Sequence, residues 1–472
     1  MITKFINRIL RRGHPARMPH PSHHNPPKKI PKKSHRIDSH LLSKNAVKVT
    51  HTLQQAGFQA YIVGGAVRDL VLGISPKDFD VATNATPDQV QKLFRKARLI
   101  GRRFQIVHVT FFGKERPEVI EVSTFRALLD NAGDHLAESG RILRDNVWGT
   151  QIEDATRRDF SINAMYYDPA TETVLDYHGG MDDIQKRTLR MIGDPAKRYR
   201  EDPIRMLRAI RFAAKTGFTL DPKTRAPIEK LAHLIQDVPP ARLFDEILKL
   251  LMSGYSWAAI QGLRDAGLHH GVLPLLDHML DEKQSLQAGA NFIRLALENT
   301  DSRIQSGKSI SAGFLFASLL WPDLIRNWQK KLSDGLANIP ALNSAMDETI
   351  ETQSSGMTIQ RRFEADMREI WAMQPRFEKR VGRFPYRLLE SPRFRAGYDF
   401  LLLRCATGEQ PAALGEWWTS FIAADPITQQ TLLNSIKNEV HDKTGLTKPT
   451  AKRRHRRKSK TAVPSPTKLP EN

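Results

Sequence analysis

The sequence predicts an α+β protein: an N-terminal head with a small mixed or antiparallel sheet, then a long all-α body, with disordered basic tails. Short apolar segments separated by turns fill positions 58–176, a pattern typical of strands. From about residue 195 strand patterns stop, and apolar residues recur at helical spacing. Both ends of the chain are basic and poor in large apolar residues, so they cannot offset the entropy of ordering.

In the head, the predicted helices and strands follow one another closely. The first helix begins after Ser43, a good N-cap, and ends before Gly57. Thr86 and Pro87 suit the N-cap and first position of another helix, which we extend to about residue 97. The other predicted elements are strands over 58–63, 79–82, 104–111, 119–125, 160–167 and 173–176, a helix over 65–72 and a mobile polar loop over 128–150.

The body is predicted to contain helices only, with no internal repeat of fixed period. These helices span 201–215, 240–252, 256–266, 288–299, 309–320 and 392–406, and the region 327–370 is weakly patterned. We therefore divide the chain into a basic segment 1–40, a catalytic head 41–195, a helical neck 196–255, a helical body 256–440 and a basic tail 441–472.

The positive charge of the chain lies mainly in its two ends. The formal charge is +21, of which residues 1–36 carry +10 and residues 442–472 carry +8. Basic tails most often meet a polyanion, and nucleic acid is the favoured partner; a solubilising tail without a partner is the alternative.

The single cysteine, Cys405, excludes a disulfide framework and a cysteine-based zinc site, and indicates a reducing, cytoplasmic compartment. The longest apolar run, 314–321, is too short to span a bilayer. The N-terminus lacks the long apolar core of a secretory signal.

Asp78 and Asp80 are the strongest candidates for metal ligands. If residues 78–82 form a strand, both carboxylates point to one face, because strand side chains alternate. Two carboxylates on one face can hold a pair of divalent metals, which activate a hydroxyl and stabilise a leaving pyrophosphate. A solvated Asp-X-Asp on an exposed edge is the simpler alternative.

Just upstream, Gly64 and Gly65 precede a predicted helix, where backbone N–H groups can approach a triphosphate. Arg68 lies on the first turn of that helix, so it can reach the same phosphates or pair with Asp69. The spacing of the glycines and the aspartates together predicts a nucleotidyltransferase.

A third active-site acid has two candidates. Glu121 lies on a predicted strand between apolar residues, and Asp159 lies between Arg158 and the apolar residues that follow. The residues alone leave both open. Arg158 is close enough in sequence to reach a phosphate.

Asp202, Arg205 and Arg208 are spaced by three, so they share one helix face, which Arg211 continues. A solvated basic face is the ordinary explanation for such a pattern. Directly after the head, however, Asp and Arg could present an acceptor and donors to a base, and Arg could bind phosphates.

At these residues the chain resembles the class II nucleotidyltransferase family, which contains bacterial poly(A) polymerases and CCA-adding tRNA nucleotidyltransferases. Four motifs carry the resemblance, in the family's order: Gly64-Gly65-Ala66-Val67-Arg68-Asp69, Asp78-Phe79-Asp80, Arg157-Arg158-Asp159-Phe160-Ser161-Ile162-Asn163 and Glu201-Asp202-Pro203-Ile204-Arg205. Similarity continues into Val238-Pro239-Pro240-Ala241-Arg242-Leu243-Phe244. The segment Leu99-Ile100-Gly101-Arg102-Arg103-Phe104-Gln105-Ile106-Val107-His108-Val109 and the basic tails are more similar to the poly(A) polymerase I branch.

The resemblance implies a template-independent poly(A) polymerase that adds AMP from ATP to RNA 3′ ends with Mg²⁺ or Mn²⁺, in RNA processing or decay. It implies Asp78 and Asp80 as metal ligands and Asp159 as a further catalytic acid. The implied nucleotide contacts are Gly64, Gly65, Arg68, Arg158, Asp202, Arg205, Arg208 and Arg211, with Asp202 and Arg205 reading the base.

The neck and body would bind RNA, the tails are candidates to bind RNA-decay proteins, and we expect a monomer. The alternatives are a CCA-adding enzyme with the same site and an RNA-binding protein with an inactive head.

Overall fold

The computed structural model describes residues 26–101, 105–113, 117–127, 147–269, 288–354, 357 and 359–444. The chain divides into two compact units, Met1–Ala372 and Met373–Asn472. The disorder predicted for residues 1–25 and 445–472 lies outside the described residues, as do 128–146 of the predicted loop and Arg102, Arg103 and Phe104. Within the described part of the chain, no helix combines the length and apolar character needed to cross a membrane.

The head is built on an eight-stranded mixed sheet, as the α+β prediction requires. Its strands are β1 Lys28–Pro31, β2 Ala60–Val63, β3 Asp80–Thr83, β4 Ala97–Ile100, β5 Ile106–Phe112, β6 Pro117–Thr124, β7 Met165–Asp168 and β8 Thr173–Asp176. They lie in the order β1-β8-β7-β2-β3-β6-β5-β4. Neighbouring strands are antiparallel except β3 and β6, which are parallel.

The helices of the head begin at residues that cap them well. Their bounds are α1 Lys32–His35, α2 Lys44–Gln55, α3 Gly65–Val71, α4 Pro87–Leu93, α5 Gln151–Arg157 and α6 Gly180–Gln185. The Ser43 hydroxyl accepts hydrogen bonds from the amides of Asn45 and Ala46, and Thr86 forms a capping box with Gln89. Both predicted helix starts are therefore confirmed.

Both edges of the sheet differ from the prediction. Residues 28–31, placed in the disordered segment 1–40, form β1 against β8. Ile30 is 5% exposed there, and the buried His35 bonds through Nε2 to the carbonyl oxygen of Glu172. At the other edge, the helix predicted to continue to residue 97 ends at Leu93 and is followed by β4. Edge strands lack the clear apolar alternation by which strands are recognised.

Two other boundaries were wrong. The strand predicted over 160–167 is a 3₁₀ turn, Ser161–Asn163, followed by β7, and the Ser161 hydroxyl donates to Asp183 in that turn. The helix predicted over 201–215 begins only at Ile204, because residue 201 ends a preceding helix and Asp202 is extended. Proline disfavours helical backbone at the residue before it, and Pro203 follows Asp202. A two-residue parallel pair, β9 Thr188–Leu189 and β10 Thr219–Leu220, also places one short strand after residue 195.

The body is helical in both units. The first unit continues with α7 Pro195–Glu201, α8 Ile204–Thr216, α9 Pro222–Arg225, α10 Ile228–Leu231, α11 Pro240–Leu251, α12 Ser256–Asp265, α13 Ala288–Gln305, α14 Ala312–Leu319, α15 Trp321–Ser333, α16 Asn338–Ser354 and α17 Arg361–Met373. The second contains α18 Phe384–Leu389, α19 Phe394–Ala406, α20 Ala412–Ala423 and α21 Pro426–Thr444, with Trp418 and Phe377 at its core. Cys405 is partly buried at the edge of that core.

The two faces of the sheet have different coverings. One face buries Ile62, Val81 and Val122, and α2 packs on the strands that carry them. The opposite face carries Asp80 together with an apolar cluster that includes Tyr166 and, from α5, Ala155. Charged groups of the site therefore gather on the α5 side of the sheet.

Candidate active site

The turn between β2 and α3 lies close to two charged side chains, those of Asp80 and Arg158. Gly64 has a φ of 73°, a conformation that other residues rarely adopt. A Cβ at this position would lie 3.5 Å from Nη1 of Arg158 and 3.9 Å from Oδ2 of Asp80. The backbone of the turn therefore lies next to both Arg158 and Asp80.

Asp80 is the first residue of β3 and stands in register with Glu121 on the parallel strand β6. In-register neighbours point to the same face. Burial, together with the negative charges of Glu121 and Asp78, raises the pKa of Asp80 to about 6, against the opposing charge of Arg158. Asp78 is exposed and precedes the strand, so the alternation predicted from residue 78 begins only at Asp80.

The chemistry of these donors suits a hard divalent cation. Among the described residues, no three His, Cys, Asp or Glu side chains form a closed set of metal ligands. Mg²⁺ does not need such a set, because it is usually held by one or two carboxylates, water and substrate phosphates. The carboxylates of Glu121 and Asp78 repel the carboxylate of Asp80. A cation bound to Asp80 would relieve that repulsion.

The side chain of Arg158 is fixed by hydrogen bonds to Asp154 and Tyr166. Its Nη2 donates to Oδ2 of Asp154 at 3.0 Å, and its Nε donates to the Tyr166 hydroxyl at 3.2 Å. The Tyr166 hydroxyl in turn donates to Asp154 at 2.6 Å. Burial would raise the pKa of Asp154, but the charges of Arg158 and Arg157 and this hydrogen bond lower it. Asp154 therefore stays ionised and fixes the guanidinium whose Nη1 faces Gly64.

Asp159 binds an arginine of the neck. Its Oδ2 accepts from Nε and Nη2 of Arg208 at 2.9 and 2.6 Å, while Oδ1 accepts from the amide of Phe160. Burial opposes ionisation, but Arg208 and these hydrogen bonds bring the pKa of Asp159 down to about 2. Two residues were candidates for the third active-site acid. Glu121 lies beside Asp80 on the neighbouring strand, whereas Asp159 forms an ion pair with Arg208.

Arg68 is 2% exposed and pairs with its neighbours. It donates to Asp69 at 2.8 Å and to Oδ1 of Asn163 at 2.7 Å. Lys215 approaches the other oxygen of Asp69 at 3.1 Å. Pairing with Asp69 was one of the two roles that the sequence left open for Arg68.

The neck residues expected to read the base also take part in ion pairs. Asp202 accepts from Arg242 at 2.6 Å through Oδ2, whereas its buried Oδ1 has no hydrogen-bond partner among the residues described. Nη1 of Arg205 donates to Glu201 and to the carbonyl oxygen of Arg198. Helix α11, which supplies Arg242, therefore orients Asp202.

A cleft of about 540 Å³ in the first unit brings most of the predicted site together. Its lining includes the predicted residues Gly64, Gly65, Arg68, Asp80, Arg158, Asp159, Asp202, Arg205 and Arg208. Asp78 and Arg211 are not part of this lining; Arg211 instead binds Glu246 at 2.7 Å.

Sequence reasoning missed several residues of the same cleft. Asn163, Arg242, Asp245, Glu246 and Lys249 line it, and Asp154 and Tyr166 lie behind Arg158. Arg242 could have been found, because it lies in the block that resembles the family over residues 238–244.

Three family profiles match successive parts of this chain. "Poly A polymerase head domain" matches residues 60–190, "Probable RNA and SrmB- binding site of polymerase A" matches 217–280, and "Polymerase A arginine-rich C-terminus" matches 334–460. The first covers β2 to β9, the strands and turns that carry Asp80, Arg158 and Asp159.

Related proteins match over most of their length. The chain is 44% identical to poly(A) polymerase I of Salmonella typhi, over 87% of this chain and 89% of the relative. It is 43% identical to poly(A) polymerase I of Escherichia coli, over 92% of both chains. Among solved structures, the Bacillus stearothermophilus CCA-adding enzyme in complex with CTP matches with a TM-score of 0.55 at 25% identity, covering 84% of this chain and 92% of that chain.

The likeness to poly(A) polymerase I at this identity covers both units, whereas the CCA-adding structure shares the fold at lower identity. The chain therefore belongs to the poly(A) polymerase I family of polynucleotide adenylyltransferases.

Proposed function

We propose that this chain adds AMP from ATP to RNA 3′ ends by a two-metal mechanism, with Asp78 and Asp80 holding a pair of Mg²⁺ or Mn²⁺ ions. The observation that carries the proposal is the position of Asp80, which opens β3 in register with Glu121 and borders a cleft shared with Arg158. In the reaction, the RNA 3′-hydroxyl releases its proton to solvent, its oxygen bonds to the α-phosphorus of ATP, and the bond from that phosphorus to pyrophosphate breaks. Bound metal would lower the pKa of the 3′-hydroxyl and neutralise charge on the leaving group.

The residues around Asp80 have separate tasks in this proposal. Arg158, fixed by Asp154 and Tyr166, binds phosphate oxygens of ATP beside the Gly64 turn. A charged donor fixed before the substrate arrives stabilises negative charge without further reorganisation. Glu121 is the third acid on the strand face, since its charge acts directly on Asp80.

Arg208 faces the cleft while Asp159 holds two of its nitrogens, so we assign Asp159 a positioning role and Arg208 a phosphate contact. The remaining predicted residues support the site: Gly65 lets the backbone approach the nucleotide, and the ion pairs of Arg68 with Asp69 and of Arg211 with Glu246 hold neighbouring elements together.

Asp202 is the proposed acceptor for the base. Its Oδ1 is buried, lacks a hydrogen-bond partner among the described residues and belongs to a side chain of the cleft. Burying an acceptor without a partner costs free energy, which a hydrogen bond from an exocyclic amino group would offset. Arg205 lies three residues after Asp202, donates to Glu201 and lines the same cleft.

Adenine and cytosine both carry an exocyclic amino group, so base choice requires a direct comparison of ATP with CTP. The test incubates the chain with Mg²⁺, RNA and either nucleotide, and in parallel with tRNA lacking its CCA end. We expect long homopolymeric extension with ATP and little incorporation of CTP. Ordered CTP addition to the tRNA would instead establish a CCA-adding enzyme, and no incorporation would establish an inactive head.

We place this activity in the cytoplasm, in RNA processing and decay, carried out by a monomer. The neck and helical body bind the RNA substrate, and the basic tails are the proposed contacts for proteins of RNA decay. Support comes from the profile described as a probable RNA and SrmB-binding site, which matches residues 217–280, and from the charge of the tails.

A further inference from the structure

A second cleft, of about 1020 Å³, lies within the C-terminal unit between α18 and the first turns of α21. Arg383 and Arg387 line it on one side, and Gln430 and Asn434 line it on the other. Tyr386 and Leu433 contribute apolar surface. This combination of cations, amides and an aromatic ring differs from the ion-paired cleft around Asp80.

The two arginines are available to a ligand. Both are exposed, they lie four residues apart, and neither side chain has an ion pair or hydrogen bond among the described residues. By contrast, Arg395 and Arg404 of the same unit bind Asp399 and Glu409. A carboxylate, Glu390, also lines the cleft, so the lining keeps a net positive charge.

The surroundings strengthen the positive potential. Residues 376–395 contain seven Lys or Arg and two Glu. Clustered charge of one sign attracts a polyanion and raises its rate of association. Single-stranded nucleic acid binds such grooves through phosphates on arginines and bases on aromatic rings, with little dependence on sequence. Amide side chains such as Gln430 and Asn434 can also both donate to and accept from base edges.

We propose that this cleft binds a segment of the single-stranded RNA substrate, with Arg383 and Arg387 contacting phosphates and Tyr386 contacting a base. The proposal rests on the proposed function, because that function supplies RNA as the polyanion. It locates one RNA contact of the helical body at this cleft, within the C-terminal unit.

The test measures binding of a fluorescent 20-nucleotide oligo(A) to the full chain, without ATP or metal, at several salt concentrations. The charge-removing double substitution Arg383→Gln/Arg387→Gln is expected to weaken binding about tenfold near physiological salt. The slope of log Kd against log salt should fall by about 1.4, since each phosphate contact to a single strand contributes about 0.7. Arg383→Lys/Arg387→Lys keeps both charges and should retain most of the affinity.

Arg376→Gln/Lys379→Gln is the matched control, because it removes two exposed charges of the same unit that do not line the cleft. Equal losses in the two double variants, or no loss in either, would overturn the proposal. So would a poly-glutamate peptide that binds the cleft more tightly than RNA of equal charge, since the partner would then be an acidic protein segment. Because neither ATP nor metal is present, the outcome is independent of whether AMP transfer occurs.

Discussion

At the scale of single residues, the orientation of Arg158 depends on one hydroxyl, one carboxylate and a longer bond from its Nη1 to the carbonyl oxygen of Asn163 at 3.4 Å. Tyr166 donates to Asp154 and accepts from Nε of Arg158, and Asp154 accepts from Nη2 of Arg158. Burial raises the pKa of Tyr166 well above its usual value, so the hydroxyl remains a donor at neutral pH. The network leaves Nη1 as the nitrogen nearest the Gly64 turn.

Replacing Tyr166 by Phe tests this positioning role, because it removes the hydroxyl and keeps the buried ring. We expect the KM for ATP to rise about fivefold to tenfold, near the effect of one lost hydrogen bond, with a smaller change in kcat. Steady-state kinetics at saturating RNA would measure both. Tyr167→Phe, at the next position of β7 on the opposite face, is the control and should leave KM unchanged.

The ion pair between Asp159 and Arg208 gives stability a pH dependence. The folded-state pKa of Asp159, about 2, lies below its unfolded value, so the contribution is present above about pH 4 and lost as pH falls towards 2. Its size is about 2 kcal/mol. The urea midpoint of Asp159→Asn should therefore lie below that of the parent chain at pH 7, with the difference shrinking between pH 4 and 2. A difference that does not change with pH would contradict this assignment, and Asp88→Asn, an exposed aspartate of α4, is the control.

At the scale of elements, the sequence predicted where the motifs lie but not where the chain bends to orient them. Asp202 and Arg205 were correctly assigned to one region, but the helix expected to begin at residue 201 begins at Ile204, after a bend at Asp202 that follows the preceding helix. The bend follows from Pro203, yet proline is also common in the first turn of a helix, so both interpretations fit the local residues. Hydrogen bonds from Arg205 to Glu201 and Arg198 favour the bent arrangement.

The edge strand β1 was missed because residues 28–31 contain one apolar side chain besides proline and lie in a basic, proline-rich segment. Its contribution can be measured with Ile30→Asp, which places a charge at a position only 5% exposed. We expect the melting temperature to fall by several degrees, because a buried charge without a partner is costly. Lys29→Asp, an exposed position of the same strand, should shift it by no more than about one degree. Similar melting temperatures for the two variants would show that β1 contributes little.

At the scale of the whole molecule, the sequence motifs predicted the fold class and nine of the residues that line the cleft. These motifs lie far apart in the sequence, and it was their occurrence in the order of the family that the chain resembles that implied one common site. The partners Arg242, Asp154 and Tyr166 were not singled out, although Arg242 lies in the family-like block over 238–244 and Asp154 lies four residues before Arg158. Arg211, implied as a nucleotide contact, pairs with Glu246 in the structure, and its contact with the nucleotide stays a prediction.

Asp80 is the central residue of the proposed active site, because it lines the cleft and has Glu121 in register beside it. The most direct measurement is Mg²⁺-dependent AMP incorporation by Asp80→Ala, together with oligo(A) binding by the same preparation and with Asp88→Ala as the control. We predict that incorporation is lost in Asp80→Ala while RNA affinity and melting temperature stay close to those of the parent chain. Incorporation at the parent rate by Asp80→Ala would contradict the assignment of the active site.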